Sequence, residues 1–132
     1  MYRLIVTLVM LLLSPFFMAQ SCKQNCKEVA CTEVFITVAV YVEDQQHAPV
    51  MLDEVYTTRK RSGERIEVSQ EMGEGQYAVL DDSYKSKLAN AKDEFRFVGM
   101  KGGKVVVDEA FVISADCCHV HKESGIDTVV IQ

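Results

Sequence analysis

The sequence predicts an all-β protein, an antiparallel β-sandwich of about seven strands with at most one short helix. Apolar residues alternate with polar ones in several short segments, as expected for strands with one buried face. Polar or glycine-containing turns separate these segments at short intervals. The 132 residues, 48% apolar and 25% charged, leave room for one globular domain.

The first 21 residues predict a signal peptide. Arg3 supplies a positive charge, and residues 4–17 are almost wholly apolar but too short for a comfortable membrane span. We therefore divide the chain into a signal peptide (1–21), a polar tether (22–31) and a β-sandwich domain (32–132). Without Arg3 the mature chain has 13 basic and 19 acidic residues, a balance of −6 that argues against a nucleic-acid partner.

Cys22 is the predicted lipidation residue. It follows Ala19-Gln20-Ser21, which resembles the cleavage site of a bacterial lipoprotein signal, although Ala19 and Gln20 depart from the usual pattern. Ordinary signal peptidase cleavage after Ser21 is the alternative. The five cysteines favour the lipid, because a modified Cys22 leaves an even number for disulfides. We expect a cell-envelope protein, periplasmic or outer-membrane, held to the membrane by a lipid on Cys22.

The remaining elements follow from alternation and turn residues. In the first strand the stripe predicted to face the core is Val34, Ile36, Val38, Val40 and Val42. The predicted strands are residues 32–43, 53–59, 65–68, 76–81, 94–100, 105–121 and 127–131. The second and third form a hairpin with a charged, solvated tip. Asp81-Asp82-Ser83 predicts the cap of a short helix through Lys92, with Leu88 as its buried anchor.

Four short stretches carry a resemblance to a known family. They are Ile36-Thr37-Val38-Ala39-Val40, Ala48-Pro49-Val50, Val55-Tyr56-Thr57 and Gly75-Gln76-Tyr77. Together they resemble the transthyretin-like, carboxypeptidase regulatory-like domains of bacterial exported proteins, over roughly residues 32–112. The first turn departs from that pattern, having Gln45-Gln46-His47 without the usual glycine. The resemblance implies an Ig-like sandwich and a binding or spacer module without catalytic residues.

An apolar run near the C-terminus, residues 109–121, ends in vicinal cysteines and two histidines. If the run is extended, one face carries every second residue, namely Phe111, Ile113, Ala115, Cys117, His119 and His121. Neighbouring residues of a strand point to opposite faces, so Cys117 and Cys118 should not bond each other. We expect disulfides from both to Cys26 and Cys31, in either order.

A metal site is the alternative use of this run. Cys117, His119 and His121 at i, i+2 and i+4 on one strand face would suit zinc or copper, with Cys26 or Cys31 as fourth ligand. An exported protein more often oxidises such cysteines, so we expect neither a metal nor another cofactor.

No constellation in the sequence predicts an enzyme. Cys117-Cys118-His119 offers a thiol and a base, but no oxyanion loop or orienting carboxylate can be placed beside them. Phosphate-cradling glycine loops are also missing from the sequence. The expected function is therefore a non-catalytic binding or structural role in the envelope, toward a protein or ligand that the sequence does not identify.

Overall fold

A computed structural model describes residues 25–68, 72–88 and 90–132, which form two packed β-sheets. The predicted signal peptide and Cys22 lie outside the described residues. The all-β sandwich prediction is confirmed, with eight strands and one short α-helix in the described chain. In chain order the elements are η1 (Cys26–Glu28), β1 (Thr37–Glu43), β2 (Glu54–Arg59), β3 (Arg65–Ile66), β4 (Gln76–Asp81), η2 (Asp82–Tyr84), α1 (Lys85–Leu88), β5 (Lys92–Lys101), β6 (Lys104–Ala115), β7 (Val120–Ser124) and β8 (Thr128–Val130).

The strands divide into a sheet of three, ordered β4-β1-β8, and a sheet of five, ordered β3-β2-β5-β6-β7. Every pair is antiparallel except β1 with β8, in which Tyr41 lies opposite Thr128 in parallel register. The chain crosses between β7 and β8 from the larger to the smaller sheet. Its last strand therefore lies beside its first.

The core lies between the two sheets. Phe95, Phe97, Phe111 and Ile113 come from the larger sheet, and Val40, Val42, Val79 and Leu80 from the smaller one. Each of these side chains is less than 2% exposed. The predicted packing of the first-strand stripe against Phe111 and Ile113 is confirmed for Val38, Val40 and Val42.

The first strand begins later than predicted. Regular strand structure starts at Thr37, and Val34, predicted to face the core, is 59% exposed. The segment before β1 is held by two disulfides and by a contact of Thr32 with His119, both near the C-terminus, and Ile36 N donates to Asp82. The apolar alternation thus begins at Val34, three residues before the observed strand.

The long C-terminal strand is also shorter than predicted. β6 ends at Ala115, and β7 begins at Val120 as its antiparallel neighbour. A turn separates them, closed by a hydrogen bond from Asp116 N to His119 O of 3.1 Å. Cys117, His119 and His121 therefore do not share one strand face, and that part of the prediction was wrong.

The remaining elements agree better with their predictions. The β2–β3 hairpin is present, and β4 has its predicted bounds. Asp81 is the helix cap, since its carboxylate accepts from Ser83 N at 2.9 Å. Leu88 is the buried anchor at 2% exposure, but the helix stops there and Lys92 already belongs to β5. Among the described residues no helix is long and apolar enough to cross a membrane.

Gly125, in the connection from β7 to β8, gives a test of the packing. Its φ of +137° disfavours any side chain, and an added Cβ would lie 2.2 Å from Cδ1 of the buried Phe111. We expect Gly125→Ala to lower the free energy of unfolding by about 1–3 kcal/mol more than Gly63→Ala. Gly63 is the matched control, with a φ of +69° and no atom within 4 Å of the added Cβ. Equal urea midpoints for the two variants would contradict the contact with Phe111.

Candidate functional site at the disulfide end

Two disulfides join the beginning of the described chain to the turn between β6 and β7. We call this end of the sandwich the disulfide end. They are Cys26–Cys117 and Cys31–Cys118, each with its Cα atoms 5.3 Å apart. The prediction that both vicinal cysteines pair with Cys26 and Cys31 is confirmed, and the structure selects the order. The part of the predicted tether that is described, residues 25–31, is thus fastened to the domain at two points.

The two bonds differ in how much they restrict the unfolded chain. Cys26–Cys117 spans 91 residues, and closing a loop of that size contributes about 4 kcal/mol in the chain-entropy account. Cys31–Cys118 spans 87 residues along the sequence. Once the first bond exists, however, the second closes only a small additional ring, because both its cysteines lie close to bonded ones. It therefore adds less to stability but fixes the orientation of residues 26–31.

A cavity of about 270 Å³ borders the first disulfide. It is lined by Cys26, Lys85, Ser86, Asn90, Asp116 and Cys117. The Asn90 backbone has a φ of +58°, and its side-chain amide donates to Cys26 Sγ at 3.1 Å. Asn90 accepts this left-handed conformation more readily than most residues, and the conformation brings its amide to the sulfur. The amide hydrogen bond helps to hold η1 against the loop between α1 and β5, which contains Asn90.

Asp82 is the central polar residue of this end. It is 5% exposed, and its carboxylate accepts from Ile36 N, Val120 N and the His119 ring, each at 2.8 Å. Burial alone would raise the pKa of this carboxyl. The hydrogen bonds from His119 and from the two backbone N–H groups outweigh burial and hold the pKa below its usual range. Asp82 is therefore ionised and connects the start of β1 to the start of β7.

His119 links Asp82 to the N-terminal segment. Its Nδ1 contacts Asp82, and its Nε2 lies 3.0 Å from Thr32 Oγ1. A hydroxyl, an imidazole and a carboxylate in this order also occur in hydrolase triads. Sequence reasoning found no orienting carboxylate, since Asp82 lies 37 positions from His119. Two cavities at this end, one beside Cys26 and one beside Val120, are lined by other residues. The contacts of Asp82 and His119 join separate segments of the fold, as a structural clamp does.

Asp116 shapes the turn that carries the vicinal cysteines. Its Oδ1 accepts from the backbone N–H groups of Cys118 and His119 at 2.7 and 2.8 Å, and its Oδ2 lies 2.9 Å from His121 Nε2. The His119 backbone N–H, the His121 ring and the Cys118 backbone N–H lower the pKa of Asp116 to about 2. An aspartate that accepts from the backbone two and three residues ahead is a turn signal, which the apolar run before it obscured.

The predicted metal ligands do not converge. Cys117 is bonded to Cys26, while His119 and His121 contact different carboxylates, Asp82 and Asp116. Within residues 25–68, 72–88 and 90–132, no group of three or more ligand-type side chains is placed to hold a metal ion. Metal binding through Cys117, His119 and His121 stays the alternative interpretation, and it would require reduction of the Cys26–Cys117 disulfide.

The basic residues of the β2–β3 hairpin are paired with acids. Arg59 lies 2.8 Å and Arg61 3.5 Å from the Asp93 carboxylate, and Arg65 lies 2.5 Å from Glu54. Lys60 contacts Glu94. Lys60, Arg61 and Arg65 are solvent-exposed, as the predicted solvated tip requires, whereas the side chains of Arg59 and Asp93 are only 17% and 9% exposed. These four cations all have acidic partners.

Comparison of the chain with protein-family models, curated proteins and solved structures finds no match. The transthyretin-like resemblance over residues 32–112 therefore stays a prediction, although the two-sheet architecture agrees with it in outline.

Asp82→Asn tests the clamp. An asparagine has one acceptor oxygen in place of two, so at least one of the donors on Ile36, Val120 and His119 loses its partner. We expect the free energy of unfolding in urea to fall by about 1–3 kcal/mol. Asp108→Asn is the control, because its pairing with Arg96 is solvent-exposed and should be worth less than about 1 kcal/mol. Similar losses in both variants would contradict the central role of Asp82.

The low pKa of Asp116 predicts an acid dependence. The folded-state pKa of Asp116, about 2, is below its unfolded value of about 3.9. Ionised Asp116 therefore stabilises the folded protein fully above about pH 3.9, and this stabilisation disappears as the pH falls toward 2. We expect the urea midpoint to decrease as the pH is lowered from about 4 to about 2. In Asp116→Asn the midpoint should decrease less over the same pH range. The difference should be modest and smaller at high salt, since the carboxylate is half exposed. Identical slopes would contradict this assignment.

Proposed function

We propose that this chain is an exported, lipid-anchored β-sandwich module that binds or supports another component of the bacterial cell envelope without catalysing a reaction. One observation carries the proposal. Four of the five cysteines are consumed in two long-range disulfides, and the cysteine that remains is Cys22. Such bonds persist in oxidising compartments, which an exported protein reaches.

The sequence before Cys22 supports the same destination. A positive residue, an apolar run and the small residues Ala19 and Ser21 precede it, in the order of a secretory signal. A lipid on Cys22 would account for the odd cysteine, because that sulfur would then carry the anchor. The remaining four cysteines would be oxidised in the compartment where the domain folds.

The position of Cys22 supports a close attachment to the membrane. Four peptide units separate it from Cys26, which is bonded to Cys117. Even fully extended, four units span no more than about 15 Å. An anchor at Cys22 would therefore hold the disulfide end of the domain near the membrane surface.

A non-catalytic role is supported by how the reactive groups are used. The described cysteines are oxidised, Asp82 is buried under its donors, and His119 is held between Thr32 and Asp82. These contacts fasten segments of the fold to each other. The resemblance to transthyretin-like domains, which implies binding or spacer modules, points in the same direction.

The N-terminus of the mature protein tests the proposal. We expect the full chain, expressed in a bacterial host and extracted from membranes, to begin at Cys22 with a mass increased by covalent lipid. Cys22→Ser is the control, and it should appear in the non-membrane fraction with both disulfides intact. A mature chain that begins elsewhere, or at an unmodified Cys22, would overturn the anchor.

The same sample separates this proposal from the metal alternative. Thiol counting under denaturing conditions should find no free thiol among Cys26, Cys31, Cys117 and Cys118, and elemental analysis should find no stoichiometric metal. One equivalent of zinc or copper with titratable thiols would instead favour a metal-handling protein that uses Cys117, His119 and His121.

A further inference from the structure

Three exposed apolar side chains lie on the segment that the disulfides fasten. Val29 is 38%, Val34 59% and Phe35 55% exposed. We call Val29, Val34 and Phe35 the N-terminal apolar patch. Single exposed apolar residues are ordinary on a protein surface, whereas neighbouring ones more often belong to a contact surface. Val34 and Phe35 are adjacent in the sequence and both are more than half exposed.

The segment cannot bury this patch by folding back onto the core. Cys31 is bonded to Cys118, Thr32 contacts His119, and Ile36 N donates to Asp82. Val34 and Phe35 lie between these attachment points, and the core positions of β1 begin only at Val38. In the folded protein the two side chains therefore remain available to an outside partner.

The length of chain between the patch and Cys22 indicates what that partner is. Three peptide units separate Cys22 from Asn25, a reach of at most about 11 Å. Cys26, the residue after Asn25, is bonded to Cys117 beside the Cys31–Cys118 bond. A lipid on Cys22 would bring a bilayer within this short reach of the end of the domain that carries the patch.

We propose that the N-terminal apolar patch inserts into the interfacial layer of the membrane that holds the lipid of Cys22. The disulfide end of the domain would then face the bilayer. This inference rests on the proposed lipid anchor. The lipid supplies most of the membrane affinity, since acyl chains bury far more apolar area than three side chains. The patch supplies orientation.

The charges around the patch do not favour anionic lipids, so the expected contact with the membrane is apolar. Lys23 and Lys27 are balanced by Glu28 and Glu33 on the same segment, and the mature chain has an excess of acidic residues. Attraction to anionic lipids is therefore not expected. Insertion should occur in zwitterionic phosphatidylcholine vesicles and should change little with salt, because burial of apolar area is not screened.

The chain offers a clean reporter, because it contains no tryptophan. Phe35→Trp places one indole in the patch, and Val34→Trp is a second reporter should the first disturb folding. Val105→Trp is the matched control. Val105 is 53% exposed and lies at the opposite end of β6 from Ala115, about 30 Å away along a strand.

Each variant is purified as the full lipidated chain and reconstituted in phosphatidylcholine vesicles, with and without lipids brominated on their acyl chains. We expect the indoles at Phe35 and Val34 to shift to shorter emission wavelengths and to be quenched by at least twofold by brominated lipid. The indole at Val105 should keep the emission of a solvated side chain and remain unquenched. Thermal unfolding of each variant in detergent confirms that the domain is folded.

The outcomes separate this inference from the anchor on which it rests. Protein that floats with vesicles but shows no quenching at Phe35 or Val34 overturns the insertion alone. Protein that lacks the lipid and does not float overturns the anchor and the insertion together. A shift that occurs without vesicles and grows with protein concentration assigns the patch to a second copy of the chain, which also overturns insertion.

Discussion

The buried carboxylate of Asp82 is the interaction on which the architecture of this domain depends. It receives hydrogen bonds from the residue before β1, from the first residue of β7 and from the ring of His119. These partners come from opposite ends of the sequence and would be buried donors without an acceptor if Asp82 were absent. The disulfides join the same two segments, residues 26–36 and 116–120.

Covalent and polar attachments have different physical roles here. The disulfides act mainly by restricting the unfolded chain, so that less conformational entropy is lost when the N-terminal segment and the β6–β7 turn come together on folding. They do not by themselves decide where Ile36 lies relative to Val120. The Asp82 carboxylate does, since it accepts from both backbone groups at 2.8 Å. This attachment explains why Val34 and Phe35 remain exposed although their pattern is that of a strand.

Local patterns predicted the elements that depend on local chemistry. β4 was predicted residue for residue, because its short apolar run is preceded by glycines and ends at the cap Asp81. Apolar alternation predicted a strand wrongly at Val34 and at Asp116, where contacts with distant residues or a side-chain turn replace the sheet ladder. The cysteine count predicted which groups of cysteines pair. Their order depends on the turn after β6, where the sequence predicts a continuous strand.

The two ends of the sandwich differ in the chemistry that they present. At the disulfide end the cysteines, Asp82 and His119 are all engaged within the fold. The opposite end carries the β5–β6 turn and the loop after β1, with Met51 62% and Val105 53% exposed. Under the proposed lipid anchor, this opposite end would be directed away from the membrane. Recognition of another envelope component would then fall to the loops around Met51 and Val105, at the opposite end from the disulfides, His119 and His121.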